Sequence, residues 1–136
     1  MVQEYKQEHK MKIKDCVMIE PFKCNENDSV IEIAKKLKEI TLRHIFVVND
    51  DDYPVGIISM TDINNRIVAE GKNPADLKAK DIMSAPVDVA DYENDIGNFS
   101  KIMIQKNHVM DPVVRDGKMI GIITVHQLLK NINENE

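Results

Sequence analysis

The architecture of this chain follows from the stretch Val55-Gly56-Ile57-Ile58-Ser59-Met60-Thr61-Asp62-Ile63. It returns in altered form as Ile120-Gly121-Ile122-Ile123-Thr124-Val125-His126-Gln127-Leu128. Each copy reads apolar, Gly, Ile, Ile, hydroxyl, two variable residues, polar, apolar. β-Branched residues favour a strand, and a hydroxyl after them is typical of the position just before a helix. The pattern therefore predicts a strand that leads directly into a helix, and it occurs twice.

The polar residues of these copies are the candidate functional residues. Ser59, Thr61 and Thr124 can accept hydrogen bonds from the free N–H groups of a first helical turn, and such N–H groups also suit an anion. Asp62 follows at what we expect to be an exposed helix start, where its carboxylate can accept hydrogen bonds from a diol. A carboxylate there is equally explained by a structural interaction with the helix dipole. Both interpretations of Asp62 stay open at this point.

The rest of the chain is duplicated as well. We predict in each half a short strand, a helix, two strands that form a hairpin, and a second helix. The short strands are expected at residues 22–24 and 87–89. The predicted organisation is an N-terminal extension at 1–10, a first repeat at 11–71, a linker at 72–78 and a second repeat at 79–133. Since neither half has enough apolar area to be stable alone, we expect the halves to pack together.

Apolar side chains at helical spacing predict which helix faces are buried. The first helix of each half carries such a stripe, formed by Val30, Ile33, Ala34, Leu37 and Ile40 in the first half and by Ile96, Phe99, Ser100 and Met103 in the second. In the second helix of the first half, Ile63, Ile67 and Val68 are expected to point inward before Gly71 ends the helix. Asp116-Gly117 is typical of a hairpin turn.

The duplicated motifs resemble a tandem pair of CBS domains, named for cystathionine β-synthase and also called a Bateman module. The resemblance covers about residues 11–132. Besides the two opening stretches, it depends on Lys14-Asp15, Met18 and Pro21, on Lys80-Asp81-Ile82-Met83 and Pro86, and on Val47-Val48 and Pro112-Val113-Val114. It implies an α/β (α+β) fold in which two β-α-β-β-α repeats pack as a pseudo-two-fold pair.

The resemblance also implies a function. CBS pairs bind adenosine-containing ligands such as AMP, ADP, ATP or S-adenosylmethionine in clefts between their halves, and they usually regulate an attached or partner protein. In the family, the hydroxyl of the motif lies near phosphate and its carboxylate lies on ribose, which implies these roles for Ser59 and Asp62. The first and middle strands hold the adenine. The nucleotide-binding residues implied in this way are Ser59, Thr61, Asp62, His44, Ile45, Phe46, Thr124, Gln127, Lys23 and Cys24.

Two departures from the family pattern make the two sites unequal. Gln127 stands where the family often has Asp, and an amide lacks the charge that strengthens a hydrogen bond to a hydroxyl. Phe46 stands where the family often has Pro, which implies a reshaped adenine pocket. We expect the stronger site at Asp62. The alternative is a ligand-free dimerisation or assembly module with a vestigial cleft.

Bulk composition excludes several classes of protein. The net charge of −5 argues against a nucleic-acid partner, because phosphate contacts need clustered Lys and Arg. No apolar run approaches the roughly 20 residues that a membrane helix needs. The polar N-terminus does not have the pattern of a signal peptide, so we expect a cytoplasmic protein.

Metal-binding and catalytic motifs are not found in the sequence. Cys16 and Cys24 are the only cysteines, and the four histidines are scattered, so we predict no metal site. Residues 50–52 are three aspartates, but they lack the Gly and the terminal Glu of a calcium loop. Because no nucleophile–base–orienter set and no phosphate loop occur, we predict no catalytic residues and no enzymatic activity.

Spare apolar surface predicts a homodimer. The helix expected at 95–107 carries Ile96, Phe99, Ile102, Met103 and Ile104, an arc that is wider than one core-facing stripe needs. Such surface usually marks an interface, and CBS pairs commonly dimerise through these helices. The regulated partner implied by the resemblance stays unidentified.

Overall fold

Two three-stranded sheets, each with its own helices, make up residues 11–40 and 43–134, the part of the chain that this computed structural model describes. The predicted mixture of helices and strands is confirmed. The predicted extension at 1–10 lies outside the described residues. The described residues divide into two compact units, named here the Asp62 unit (Phe22–Val87 with Asp116–Met119) and the Gln127 unit (residues 11–21, Asp88–Arg115 and residues 120–134).

The Asp62 unit contains the first sheet and its helices. Its elements are β1 Lys23–Asn25, α1 Val30–Ile40, β2 His44–Val48, β3 Pro54–Ser59, α2 Met60–Ile63 and α3 Ala79–Ile82. β2 lies in the middle, paired in parallel with β1 and antiparallel with β3. One face of the sheet packs against helices. Its core residues are Cys24, Val30, Ile33, Leu37, Ile45, Val47, Ile58, Ile67, Ala79 and Ile82.

The Gln127 unit repeats this arrangement. Its elements are β4 Ala90–Asp91, α4 Ile96–Gln105, β5 Met110–Arg115, β6 Lys118–Thr124 and α5 Val125–Glu134, and the strand order is β4-β5-β6. The stripe predicted on α4 is confirmed, because all four of its residues are buried. The predicted hairpin turn is confirmed as well, since Asp116 and Gly117 both have positive φ, at 53° and 77°.

Each core also uses a short helical turn from the other repeat of the sequence. Ile13 and Cys16, which precede the first repeat's strands, pack into the core of the Gln127 unit. Ala79 and Ile82, which open the second repeat, pack into the core of the Asp62 unit. The compact units therefore divide the chain differently from the repeats of the sequence.

The short strand of the second repeat lies later than predicted. Val87 and Val89 suggested a strand at 87–89, but the strand is Ala90–Asp91, paired in parallel with Val113 and Val114. The pairing register places the small side chain of Ala90 in the core at 0% exposure. The prediction was wrong because register with β5, rather than local β propensity, determines which residues pair.

Val68 was predicted to point inward and is instead 67% exposed. The helix continues beyond α2 as a π-helix, Asn64–Val68, in which the N–H of Ala69 donates to Asn64 O at 2.8 Å and that of Lys72 donates to Ile67 O at 3.0 Å. Each π turn contains an additional residue, so the side chains after it rotate away from the α-helical stripe. Ile67 stays buried, and Val68 turns outward.

The stripe predicted on α1 is only partly buried. Val30, Ile33 and Leu37 lie in the core, but Ala34 is exposed because it lines a groove of about 320 Å³ between α1 and the π-helix. The side chain of Ile40 lies outside the described part. The π-helical segment that turns Val68 outward also forms one wall of this groove.

Gly56 is required because Met83 packs directly over it. A Cβ at Gly56 would lie 2.5 Å from Sδ and 2.9 Å from Cγ of Met83. We expect Gly56→Ala to lower the free energy of unfolding by about 1–3 kcal/mol, the usual cost of overpacking, as measured by urea denaturation. The matched test is the double variant that combines Gly56→Ala with Met83→Ala. Its loss in the free energy of unfolding should be smaller than the sum of the losses in the two single variants. Strict additivity would contradict the assigned contact.

Candidate functional site

The carboxylate of Asp62 closes the first turn of α2. Its Oδ2 accepts hydrogen bonds from the Ser59 N–H at 2.9 Å and from the Ser59 hydroxyl at 3.1 Å. In return, the Asp62 N–H donates to Ser59 Oγ at 3.1 Å. This reciprocal pattern is a capping box. Asp62 is only 8% exposed, so the expectation of an exposed helix start was wrong.

The second oxygen of Asp62 binds residues that are distant in sequence. Oδ1 accepts from the Ser84 hydroxyl at 3.0 Å, and Arg66 Nε lies 3.6 Å away. Arg66 Nη1 also donates to Met83 O at 2.9 Å and to Ile82 O at 3.3 Å. The segment Ile82–Ser84 is therefore tied to Asp62 directly and through Arg66.

Sequence reasoning missed Arg66 and Ser84. For Arg66 a signal exists, because it stands four residues after Asp62, the spacing at which helical side chains meet. Ser84 has no local signal, since it reaches Asp62 only through the pairing of its backbone with Ile57, with N···O distances of 2.8 and 2.9 Å.

The first sheet divides the predicted adenine-binding residues between two faces. His44 is paired with Ser59, and Phe46 with both Ile57 and Lys23, so these side chains lie on the face opposite the helices. Cys24 and Ile45 point into the core, where burial raises the pKa of the Cys24 thiol to about 12. Only the backbone groups of Cys24 and Ile45 are therefore available to a ligand.

The predicted residues of this unit also differ in how accessible their side chains are. Phe46 is buried at 2% exposure, whereas His44 and Thr61 are exposed. The Lys23 ammonium is engaged, since its Nζ donates to Asp52 Oδ1 at 2.7 Å and lies 3.5 Å from Met119 O. The structure thus brings Ser59, Asp62 and His44 together at the end of β3 that leads into α2.

The second copy of the motif is built from neutral groups. Thr124 caps α5 by accepting from the Gln127 N–H at 3.2 Å. Gln127 is half-buried. Where Ser84 pairs with Ile57 in the Asp62 unit, Ile19 pairs with Ile122 in the Gln127 unit. The second copy therefore lacks a carboxylate like that of Asp62, and it also lacks a serine hydroxyl that could donate to such a group as Ser84 does.

A buried carboxyl group in the Gln127 unit was also missed. Asp111 in β5 is 3% exposed, and burial raises its pKa to about 6, although nearby His108 opposes the shift. His108 Nδ1 lies 3.2 Å from Asp111 Oδ1 and 3.5 Å from Asp88 Oδ2, and Asp88 binds Lys106 Nζ at 3.0 Å. The sequence could have revealed this group, because Asp111 stands at the position that the apolar Ile45 has in the first repeat.

Two negative observations apply to residues 11–40 and 43–134. No group of three or more His, Cys, Asp and Glu side chains there is arranged to hold a metal ion. Of the helices in the same ranges, none combines the length and apolar composition required to span a membrane.

Comparisons with known proteins agree with the duplicated architecture. The model of the CBS domain matches residues 13–69 and 79–134. An uncharacterized protein of Methanopyrus kandleri is 36% identical over 104 residues, which cover 76% of this chain and 53% of that protein. The chain therefore spans about half the length of this relative.

Two further similarities concern an enzyme and a solved structure. The inosine-5′-monophosphate dehydrogenase of Methanocaldococcus jannaschii is 29% identical over 130 residues, which cover 95% of this chain and 24% of the enzyme. The hexameric CBS-CP12 protein from bloom-forming cyanobacteria superposes with a TM-score of 0.67 at 24% identity, over 89% of this chain and 71% of that one. The second similarity concerns the fold alone.

Proposed function

Because the chain belongs to the CBS-domain family, we propose that it is a regulatory module that binds an adenine nucleotide at Asp62 and acts on a partner protein. The ligand would be AMP, ADP, ATP or S-adenosylmethionine. The function is binding rather than catalysis: the related dehydrogenase is matched over 24% of its length, and its activity does not transfer to this chain. The two free, buried cysteines suit a reducing compartment, so a cytoplasmic location is part of the proposal.

The observation that supports this proposal is the oriented carboxylate of Asp62 beside Ser59. The capping box fixes the Asp62 side chain, so it loses little freedom when it accepts hydrogen bonds from a ribose diol. Hydrogen bonds to a charged acceptor contribute about 1.5–3 kcal/mol, against about 1 kcal/mol for neutral pairs. His44, next to Ser59 on the neighbouring strand, is exposed on the same face of the sheet.

The neutral second motif supports one dominant site. Gln127 offers an amide where Asp62 offers a charge, and a difference of 1.4 kcal/mol corresponds to about tenfold in affinity. We therefore propose that the nucleotide binds more tightly at Asp62 than at Thr124 and Gln127.

Calorimetry with AMP, ADP, ATP and S-adenosylmethionine tests the proposal. We expect at least one of them to bind with one dominant stoichiometric site, and GTP, as a control for the base, to bind more weakly. Binding of no adenine ligand would instead support the second candidate, a ligand-free assembly module. The observation that favours this candidate is that Ser59 and Ser84 already occupy both oxygens of Asp62.

We also propose that the protein is a homodimer, joined through the helices of the Gln127 unit. Ile102 and Ile104 on α4 are 40% and 53% exposed, and Leu129 on α5 is 38% exposed. Ile96, Phe99 and Met103 lie in the core, so only the outer part of the predicted apolar arc is available to a partner. The fold relative from cyanobacteria is described as hexameric, which fits a fold that self-associates.

Light scattering at micromolar concentration should show a dimer for the wild type and a monomer for Ile102→Glu, because a charge buried in an apolar interface is strongly unfavourable. Val17→Glu is the matched control, since Val17 is 71% exposed in the same unit but lies outside these helices. A monomeric wild type, or equal dissociation of both variants, would refute the proposed interface.

A further inference from the structure

We infer that the hydroxyl of Ser84 competes with the nucleotide ribose for Asp62, so that ligand binding releases the segment Ile82–Ser84. This inference rests on the proposed function and adds to it the part of the chain that responds to the ligand. All the residues concerned lie in the Asp62 unit.

The argument starts from the number of hydrogen bonds that one carboxylate can accept. An ionised carboxylate offers about four acceptor positions. Oδ2 of Asp62 uses two of them for the N–H and hydroxyl of Ser59, and Oδ1 uses one for the Ser84 hydroxyl. One position is left, whereas a ribose diol donates two hydrogen bonds. The diol can therefore bind through both hydroxyls only if an existing hydrogen bond is broken.

Ser84 is the partner that can leave most easily. The two hydrogen bonds from Ser59 belong to the capping box, and losing them would open the first turn of α2. The Ser84 bond joins a hydroxyl to the carboxylate, and a ribose hydroxyl replaces it with a bond of the same kind. This exchange preserves the charge-assisted hydrogen bond at Oδ1 and leaves the helix start intact.

Displacement of Ser84 also affects its neighbours. Arg66 is the second link between Asp62 and this segment, because its Nη1 donates to Met83 O and Ile82 O while its Nε lies 3.6 Å from Asp62 Oδ1. A diol at Oδ1 occupies the space beside Arg66 Nε as well as that of the Ser84 hydroxyl. Binding therefore weakens both links to the chain between α3 and β4.

Calorimetry on Ser84→Ala and Ser84→Thr tests whether the ribose displaces the Ser84 hydroxyl from Asp62. The ligand is the adenine nucleotide that binds the wild type most tightly. Removing the competing hydroxyl should strengthen binding about tenfold or more in Ser84→Ala, since the hydrogen bond that this hydroxyl donates to a charged acceptor contributes about 1.5–3 kcal/mol. Ser84→Thr keeps the hydroxyl and should bind like the wild type. A residue that only supported the site would instead weaken binding when truncated.

Amide hydrogen exchange gives a second measurement. Saturating nucleotide should speed exchange of the Ser84 amide, which donates to Ile57 O in the free protein. Equal affinity of the wild type and Ser84→Ala, or slower hydrogen exchange at the Ser84 amide, overturns the proposed displacement of Ser84. The proposed nucleotide binding at Asp62 would still stand. Failure of the wild type and of both variants to bind any adenine nucleotide overturns both proposals.

Discussion

Replacing Asp62 by alanine is expected to remove most nucleotide binding and to lower the free energy of unfolding by about 3 kcal/mol. The second effect follows from the burial of this side chain. Truncation leaves the Ser59 N–H and the Ser84 hydroxyl without their acceptor and removes the carboxylate beside Arg66. The exposed helix start expected from the sequence would have made the loss of this side chain nearly neutral for stability, but Asp62 is only 8% exposed. Urea denaturation measures the loss.

Two controls separate binding from stability. Asp62→Asn keeps the shape and one acceptor oxygen, so it should lose less stability than Asp62→Ala while binding at least about tenfold more weakly. Gln127→Ala changes the corresponding residue of the second motif and should have little effect on either quantity. If Asp62→Asn binds as tightly as the wild type and Gln127→Ala does not, the site lies at the second motif instead.

Raising the pH from 4 to 8 is expected to lower the free energy of unfolding by about 2 kcal/mol through Asp111 alone. Burial raises the pKa of this carboxyl from 3.8 to about 6 in the folded protein. Between these values the folded state holds more protons than the unfolded state, so stability falls as the pH rises. The contribution of Asp111 to the free energy of unfolding is fully present below pH 3.8, and it is lost as the pH rises past about 6.

Urea denaturation between pH 4 and pH 8 tests this prediction. Asp111→Ile places the residue of the first repeat at this position and should remove that part of the pH dependence and raise stability at pH 8. Glu93→Gln is the control, because hydrogen bonds from Lys12 and Lys14 lower the pKa of Glu93 to about 2. The stabilising effect of that group is present above pH 4.5 and is lost only as the pH falls toward 2, so the slope between pH 5 and 8 should not change. An unchanged slope in Asp111→Ile would contradict the assignment.

Local sequence patterns predicted the elements whose cause is local. The β-branched run before Ser59, the apolar stripe of α4 and the Asp116-Gly117 turn all form as expected, because each depends on residues a few positions apart. The duplication then added information that no single motif carries. A fold of two related sheets with helices was predictable from these features.

The failures of prediction depend on contacts between distant residues. The strand at Ala90 is selected by pairing with Val113, and one oxygen of Asp62 accepts a hydrogen bond from Ser84, 22 residues later. The outward turn of Val68 depends on a π-helix that no residue type encodes. Asp111 was overlooked although comparison of the repeats places it at the position of Ile45. For the strand at Ala90 and for Asp62, the physical cause is a contact between distant residues that overrides local preference.

The exchange of short helical turns between the repeats has a consequence for the synthesis of the chain. Ile13 is translated early, yet its core partners Ile96 and Ile123 follow about 80 and 110 residues later. Contacts of such high sequence separation must first overcome the entropy of closing a long loop, which slows folding. The Gln127 unit can therefore assemble only after Ile123 and Leu128 have left the ribosome, whereas the core residues of the Asp62 unit end at Ile82, with Met83 packed beside them. A nascent chain released at residue 83 would contain one core and an unpaired N-terminal turn.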